Sequence, residues 1–309
     1  MRELIPTRIA YGEAITELGA ENEKIVVLDA DVSTATFTCK FRDAYPDRHY
    51  NFGIAEANMM GAAAGLADMG FIPFVSCFCV FLGRAYDQVR NTIAYGDFNV
   101  KLALTHGGVT AGQDGASHHA IEDVALARVI PNMLVLCPCD ARQVRKALRV
   151  AAEYKGPVYL RFSRMPSPVY EEKPFTIGGS NVMRDGNDVV LFTYGYMVSQ
   201  SLAAAELLQK QGIDAAVVDL YSIKPVDRAR VLEYAKRCGK VVTVEEHSVI
   251  GGIGDAVSEV LGAEYPCRMK RIGVPDCFSE TGVPEDVVRY FGLDSTGIAE
   301  NVAAWLKTL

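Results

Sequence analysis

Short apolar runs recur along this chain, separated by stretches too long for hairpin turns. They include Ile25-Val26-Val27-Leu28-Asp29-Ala30, Phe71-Ile72-Pro73-Phe74-Val75-Ser76-Cys77, Val100 to Thr105, Met133 to Pro138 and Pro157 to Arg164. Beyond residue 187 come Asp188 to Tyr194, Ala215 to Leu220, Lys240 to Glu245 and Cys267 to Val274. These runs are rich in β-branched residues and lack polar alternation, the pattern of parallel strands buried on both faces. Helical patterns lie between them: Thr7 to about Leu18, a segment capped by Asp140 and running to about Tyr154, one ending near Gln211, one from Arg228 to Arg237, and a closing one from about Ser295 through Trp305. The alternation predicts an α/β fold built on mostly parallel sheets. It is interrupted between Met165 and Asn187, where Pro, Gly, Ser and charged residues concentrate, and then restarts. Two domains are expected, 1–168 and 188–309, joined by a linker over 169–187.

One carboxylate stands out against this frame. In Asn51-Phe52-Gly53-Ile54-Ala55-Glu56, Glu56 follows a glycine turn and opens a run of Ala, Met and Gly that extends through Ala67 without a basic residue. A helix with such small side chains admits close approach by another backbone, which predicts an interface and low-dielectric surroundings for Glu56. A desolvated carboxyl can hold or share a proton near neutrality. A plainer account is also open: Glu56 is a first-turn acid favoured by the helix dipole.

Other polar residues fall beyond the carboxyl ends of predicted strands, where open α/β sheets bind ligands. Asp31, Ser33, Thr34 and Thr36 follow the first strand, with helix capping an equal alternative for Asp31 and Ser33. After the second strand, Phe78 and Phe81 are spaced to share a helical face, with Arg84 one step further along it. The segment from His106 to His119 contains three of the five histidines, four glycines and Asp114. Such a loop can turn tightly around a ligand and offer groups that titrate or polarise hydroxyls. Zinc held by His106, Asp114 and His118 ranks below hydrogen bonding, because the set has neither helical His spacing nor a Cys partner. Arg164, at or past a strand end, is a candidate anion site or an ordinary surface arginine. Gly251-Gly252-Ile253-Gly254 matches a dinucleotide fingerprint only loosely, and Glu245-Glu246-His247 reads as solvated loop residues.

Composition narrows the function. The 309 residues are 50% hydrophobic, carry a net charge of −7 and have no basic run, which argues against a nucleic-acid partner. No apolar run reaches membrane-spanning length and no apolar leader is evident, so a cytoplasmic protein is expected. Eight cysteines without framework spacing, several of them inside strand-like runs, read as reduced thiols.

The order and spacing of Asn51 to Glu56, Phe78 to Arg90, His106 with Asp114-Gly115-Ala116-Ser117-His118, and Ser163-Arg164 resemble the C-terminal part of transketolases. The closest resemblance is to the separately encoded C-terminal subunit of the split type. It implies two doubly wound α/β domains: a pyrimidine-binding domain with a mostly parallel sheet, then a smaller transketolase C-terminal domain with a mixed sheet. It also implies dependence on thiamine diphosphate and transfer of a two-carbon ketol unit between phosphorylated sugars. Glu56 would then bond the aminopyrimidine ring nitrogen and activate that ring. Phe78, Phe81 and Arg84 would line its pocket, and Asp31 would lie near the cofactor. Arg8, His106 and Arg164 would hold a sugar phosphate, Asp114 would bind a hydroxyl, and His118 would sit at the reacting carbonyl; His106 and His118 join Glu56 as catalytic candidates. Where transketolases usually place a phosphate-contacting Ser, this chain has Ala35.

A Gly-Asp-Gly segment with its following Asn, through which the family binds diphosphate and Mg2+, is not found. The resemblance therefore implies a separate N-terminal subunit that holds the Mg2+, and a heterotetramer in which copies of this chain pair through the Ala/Gly helix. The alternatives are the β subunit of a 2-oxoacid dehydrogenase E1 component, a deoxyxylulose-phosphate synthase-like protein, and a non-catalytic assembly subunit.

Overall fold

The computed structural model describes residues 3–309. Two compact units share the chain: one comprises the sequence up to Gly107 together with Leu126–Glu172, the other Gly108–Ala125 together with Lys173–Leu309.

In the first unit, six parallel strands adjoin in the order Leu134–Leu136, Val158–Arg161, Lys101–Leu104, Ile72–Ser76, Ile25–Asp29 and His49–Asn51. Ile25–Asp29 and Ile72–Ser76 are buried at every position, as uninterrupted apolar runs require. The helix Thr7–Glu21 outruns its predicted end by one turn and packs against Ala141–Glu153. Asp140 caps the latter helix by accepting the Gln143 N–H at 2.7 Å. Leu4–Pro6 and Pro166–Pro168 form an antiparallel pair that the proline-rich sequence does not signal. Lys101 is fully buried, and its ammonium donates to Asn99 Oδ1, Tyr154 O and Gly156 O at 2.6, 2.7 and 2.7 Å.

The second unit holds a five-stranded mixed sheet in the order Arg268–Val274, Lys240–Ser248, Val189–Thr193, Ala215–Asp219 and Asn181–Arg184. Only the last strand is antiparallel to its neighbour. That strand lies in the stretch that reads as linker. Helices Met197–Gln209 and Ser295–Leu306 pack on one another. The architecture is two α/β units, one sheet mostly parallel and the other mixed, as expected. All eight cysteines are free thiols, and among the described residues no helix is long and apolar enough to cross a membrane.

Candidate active site

The candidates of the first unit stand in a row because the strands that carry them are neighbours. Parallel strands end on one side of a sheet, so the segments following Val158–Arg161, Lys101–Leu104, Ile72–Ser76, Ile25–Asp29 and His49–Asn51 emerge side by side. They carry, in that order, Arg164, His106, Phe78 with Phe81, Asp31 and Glu56.

Glu56 is the first residue of the helix Glu56–Asp68 and is 3% exposed. It is thus both a first-turn acid and a buried one. Arg84, itself 60% exposed, brings Nε to 3.5 Å from Glu56 Oε2. Both Glu56 and Asp29 add their charge to the burial that pushes the Cys77 thiol well above its ordinary range. On the outer side of this helix a Cβ added at Gly61 or Gly65 would meet nothing within 4 Å.

Phe78 caps a helical turn: its own backbone is extended, with ψ 149°, and the 3-10 helix Cys79–Ala85 follows it. The Phe81 N–H donates to Phe78 O at 3.0 Å, the first bond of that helix. The two rings still stack, with centroids 5.7 Å apart and planes 12° apart. Phe78 also faces His106 at 4.0 Å, since Phe78 and Thr105 pair as an isolated parallel bridge.

His106 is 2% exposed and adopts a left-handed backbone, φ 60°. Its Nε2 lies 3.3 Å from Arg8 Nη1, and its Nδ1 lies 2.8 Å from Thr105 Oγ1. A guanidinium can only donate, so Nε2 accepts from Arg8 and the ring proton resides on Nδ1, directed at Thr105. Arg8 Nη1 also donates to Ala35 O at 2.8 Å, and the guanidinium lies 5.3 Å from the Phe37 ring centre. Arg8 and Arg164 are brought close through the backbone. Ser163 N donates to Thr7 Oγ1 at 2.7 Å, and Arg8 N donates to Ser163 O at 3.3 Å. Arg8, His106 and the strand end bearing Arg164 are thereby gathered into one cationic corner.

The capping expectation for Asp31 and Ser33 is overturned. Asp31 exchanges hydrogen bonds with Asn51: Asp31 N donates to Asn51 Oδ1, and Asn51 Nδ2 donates to Asp31 Oδ1, each at 3.1 Å. Asp29, hidden inside an apolar run, serves the turn instead, accepting Val32 N at 2.8 Å and Thr38 Oγ1 at 3.3 Å. Burial raises the Asp29 pKa against those bonds. Its place inside a strand pattern concealed it.

Asp114 and His118 belong to the second unit, and among the described residues no group of three His, Cys, Asp or Glu is arranged to hold a metal ion. Asp114 is exposed, and His118 Nδ1 lies 3.0 Å from Ser117 Oγ. Neighbouring His119 is 3% exposed. Its Nε2–H donates to Gly112 O at 3.1 Å, and its Nδ1 accepts from Ser279 Oγ at 2.7 Å. Burial lowers its pKa.

The Glu245-Glu246-His247 triplet is not solvated. It ends the strand Lys240–Ser248 at 0%, 1% and 0% exposure. Glu245 accepts Ile253 N at 2.8 Å and Gly254 N at 3.0 Å, so the protein's own carboxylate fills the glycine turn that a phosphate would need. A Cβ on Gly252 would stand 1.9 Å from Glu245 Oε2.

Comparison with known proteins identifies the family. Residues 3–168 match the family described as transketolase, pyrimidine binding domain, and residues 178–298 match transketolase, C-terminal domain. A protein of Methanocaldococcus jannaschii named "putative transketolase C-terminal section" is 43% identical over 306 residues, covering 97% of this chain and 96% of its own. The 6-deoxy-6-sulfo-D-fructose transketolase subunit of Clostridium sp. strain MSTE9 is 41% identical over 294 residues, covering 94% and 91%. A solved structure described as a split gene transketolase, inactive beta4 tetramer, superposes with a TM-score of 0.89 at 49% identity, covering 97% of this chain and 98% of that one. This chain belongs to the transketolase family.

Proposed function

We propose that this chain is the C-terminal subunit of a split transketolase of the cytoplasm, moving a two-carbon ketol unit between phosphorylated sugars with thiamine diphosphate. The observation that carries this reading is Glu56: a buried carboxylate on the first turn of a helix, 3.5 Å from Arg84, in the same row of strand ends as the stacked rings of Phe78 and Phe81. A buried carboxylate suits a hydrogen bond to a ring nitrogen, and half-buried aromatic faces suit a flat heterocycle, so these residues fit the aminopyrimidine of the cofactor. Thiamine diphosphate, when bound, supplies a nucleophilic carbon for attack on a sugar carbonyl. With the cofactor bound, Glu56 would share a proton with the ring nitrogen, Arg84 and Asp31 would border the ring, and Phe78 and Phe81 would exclude water from it.

In this reading the corner of Arg8, His106 and Arg164 takes the distal phosphate. His106 reinforces Arg8 by accepting one of its N–H groups, which fixes the direction of the guanidinium. Asp114 holds a sugar hydroxyl, and His118 polarises the reacting carbonyl and passes its proton. Residues 1–168 form the pyrimidine-binding domain and 188–309 the C-terminal domain. The diphosphate and Mg2+ are held by a separate N-terminal subunit, two of each chain making a heterotetramer in which copies of this chain meet along the Gly61 and Gly65 face.

The test is reconstitution with the partner chain, thiamine diphosphate, Mg2+ and pairs of sugar phosphates, comparing wild type with Glu56→Gln. Loss of a positioned proton-sharing group predicts a fall in kcat of roughly 10²–10⁴-fold. Turnover by Glu56→Gln close to wild type would remove the basis of the proposal, as would ketol transfer by this chain without a partner.

A further inference from the structure

The segment Gly108–Ala125, which begins two residues after His106, belongs to the second unit and is tied to the end of the strand Lys240–Ser248 at both extremities. At its start, Glu246 Oε1 accepts the Thr110 N–H at 2.7 Å, inside protein on every side: Thr110 is fully buried and Glu246 is 1% exposed. Gly108 has φ 81° and passes so close that an added Cβ would lie 2.2 Å from the Glu246 carboxyl carbon. At its end, Ser248 N donates to Ile121 O at 2.7 Å and Ala125 N donates to His247 Nε2 at 3.3 Å. The segment also closes on itself, with Gly108 N donating to Ala120 O at 2.9 Å. Asp114 and His118 thus sit on a loop whose two ends are pinned by three successive residues of one strand.

A carboxylate is a costly acceptor for a backbone amide, because burying the charge carries a desolvation penalty that a neutral acceptor avoids. Its return is stiffness, since a charge-assisted bond to a backbone N–H is shorter and about twice as strong as a neutral one. We infer that Glu246 is a positioning residue for the reaction, holding the Asp114–His118 loop in its working geometry through Thr110. The C-terminal unit thereby has a part in catalysis through a residue that does not touch the substrate. The inference rests on the function proposed above for Asp114 and His118.

The experiment uses the reconstituted enzyme with Glu246→Met, which keeps the volume and removes the acceptor, and Glu246→Gln, which restores a neutral acceptor. Two readouts are taken: amide hydrogen exchange over 108–125 and steady-state kinetics with a sugar phosphate. Glu246→Met is expected to speed exchange at Thr110 and through His118 by roughly 10-fold or more, the effect of losing one charged hydrogen bond. It is expected to lower kcat/KM by a similar factor, leaving the thiamine diphosphate concentration for half-maximal activity unchanged; Glu246→Gln recovers most of both. Should Glu246→Met fail to fold, Gly108→Ala displaces the same carboxylate from the loop side and is expected to give the same pair of changes. Exchange at Thr110 within threefold of wild type would overturn the inference, as would released exchange with unchanged kinetics. Loss of activity with no recovery by Gln would also overturn it, assigning Glu246 a role other than accepting this bond. If the wild-type assembly transferred no ketol unit, the proposed function would fail separately, whatever the exchange data.

Discussion

Replacing Glu245 should release the start of the helix Ile253–Glu264, and the structure sets the size of the effect. The Gly252 N-cap has no side chain to give, so Glu245, reaching over from the strand, accepts both Ile253 N and Gly254 N. In Glu245→Gln one amide acceptor becomes a donor, leaving one buried N–H unpaired at about 1–3 kcal/mol. The lost charge at a buried helix N-terminus adds up to about 2 kcal/mol. Relief of the desolvated charge offsets part of this. A net local cost of about 1–4 kcal/mol remains, which corresponds to faster amide exchange at Ile253 and Gly254 by roughly fivefold at the low end. Gly252→Ala should produce the same release, because its Cβ would occupy the position of Glu245 Oε2. Exchange is read residue by residue by NMR or by mass after digestion. Protection at both amides within threefold of wild type in Glu245→Gln would refute the reasoning, since the carboxylate would then not be what holds the helix end.

Three further outcomes follow. His49 is held neutral, its pKa lowered to about 4 by burial and by the Arg42 cation. The unfolded chain therefore takes up this proton first as pH falls, and stability is lost between about 6.5 and about 4, by about 2 kcal/mol or less once solvent screening is allowed for. His49→Gln should flatten urea midpoints across that window, and an unchanged slope would refute the assignment. Gly12→Ala would drive a Cβ to 2.4 Å from Phe37 O and 2.6 Å from Phe37 Cβ, costing about 1–3 kcal/mol by overpacking; a urea midpoint equal to wild type would contradict this. Arg8→Lys should raise KM for an anionic sugar substrate by roughly 10-fold or more with a smaller change in kcat, by loss of a charged hydrogen bond. An unchanged KM would take Arg8 out of the proposed anion corner.

Much of the fold was legible because parallel strands are buried on both faces and so appear as apolar runs. Ile25–Asp29, Ile72–Ser76 and Arg268–Val274 lie within a residue of expectation, and the closing helix begins at Ser295 as predicted. Leu4–Pro6 and Pro166–Pro168 were not legible, because three prolines across the six residues mask a strand in any propensity reading. Asn181–Arg184 was hidden by its flanking glycines and its single central apolar pair. Among the candidate residues, Glu56 stood out through its small-sided context, which no neighbouring charge diluted. The cationic corner was only half visible: Arg8 meets His106 and the Ser163 backbone across long chain separations that depend on strand order. The buried carboxylates Asp29, Glu245 and Glu246 were misread or passed over for one reason. A charged residue at a strand end looks solvated unless the backbone amides that surround it are known.

The glycines of the Glu56 helix have a bearing on how the chain can be stabilised. In a helix interior each forgoes about 1 kcal/mol relative to alanine, and neither Gly61 nor Gly65 is required by anything in its own chain within 4 Å. The bare ridge they leave is the face along which the proposed pairing of copies would bring a second backbone close, and a methyl group at either position would stand in that path. Stability-directed engineering of this chain should therefore leave these two positions alone, although they are the first that a propensity scale would nominate.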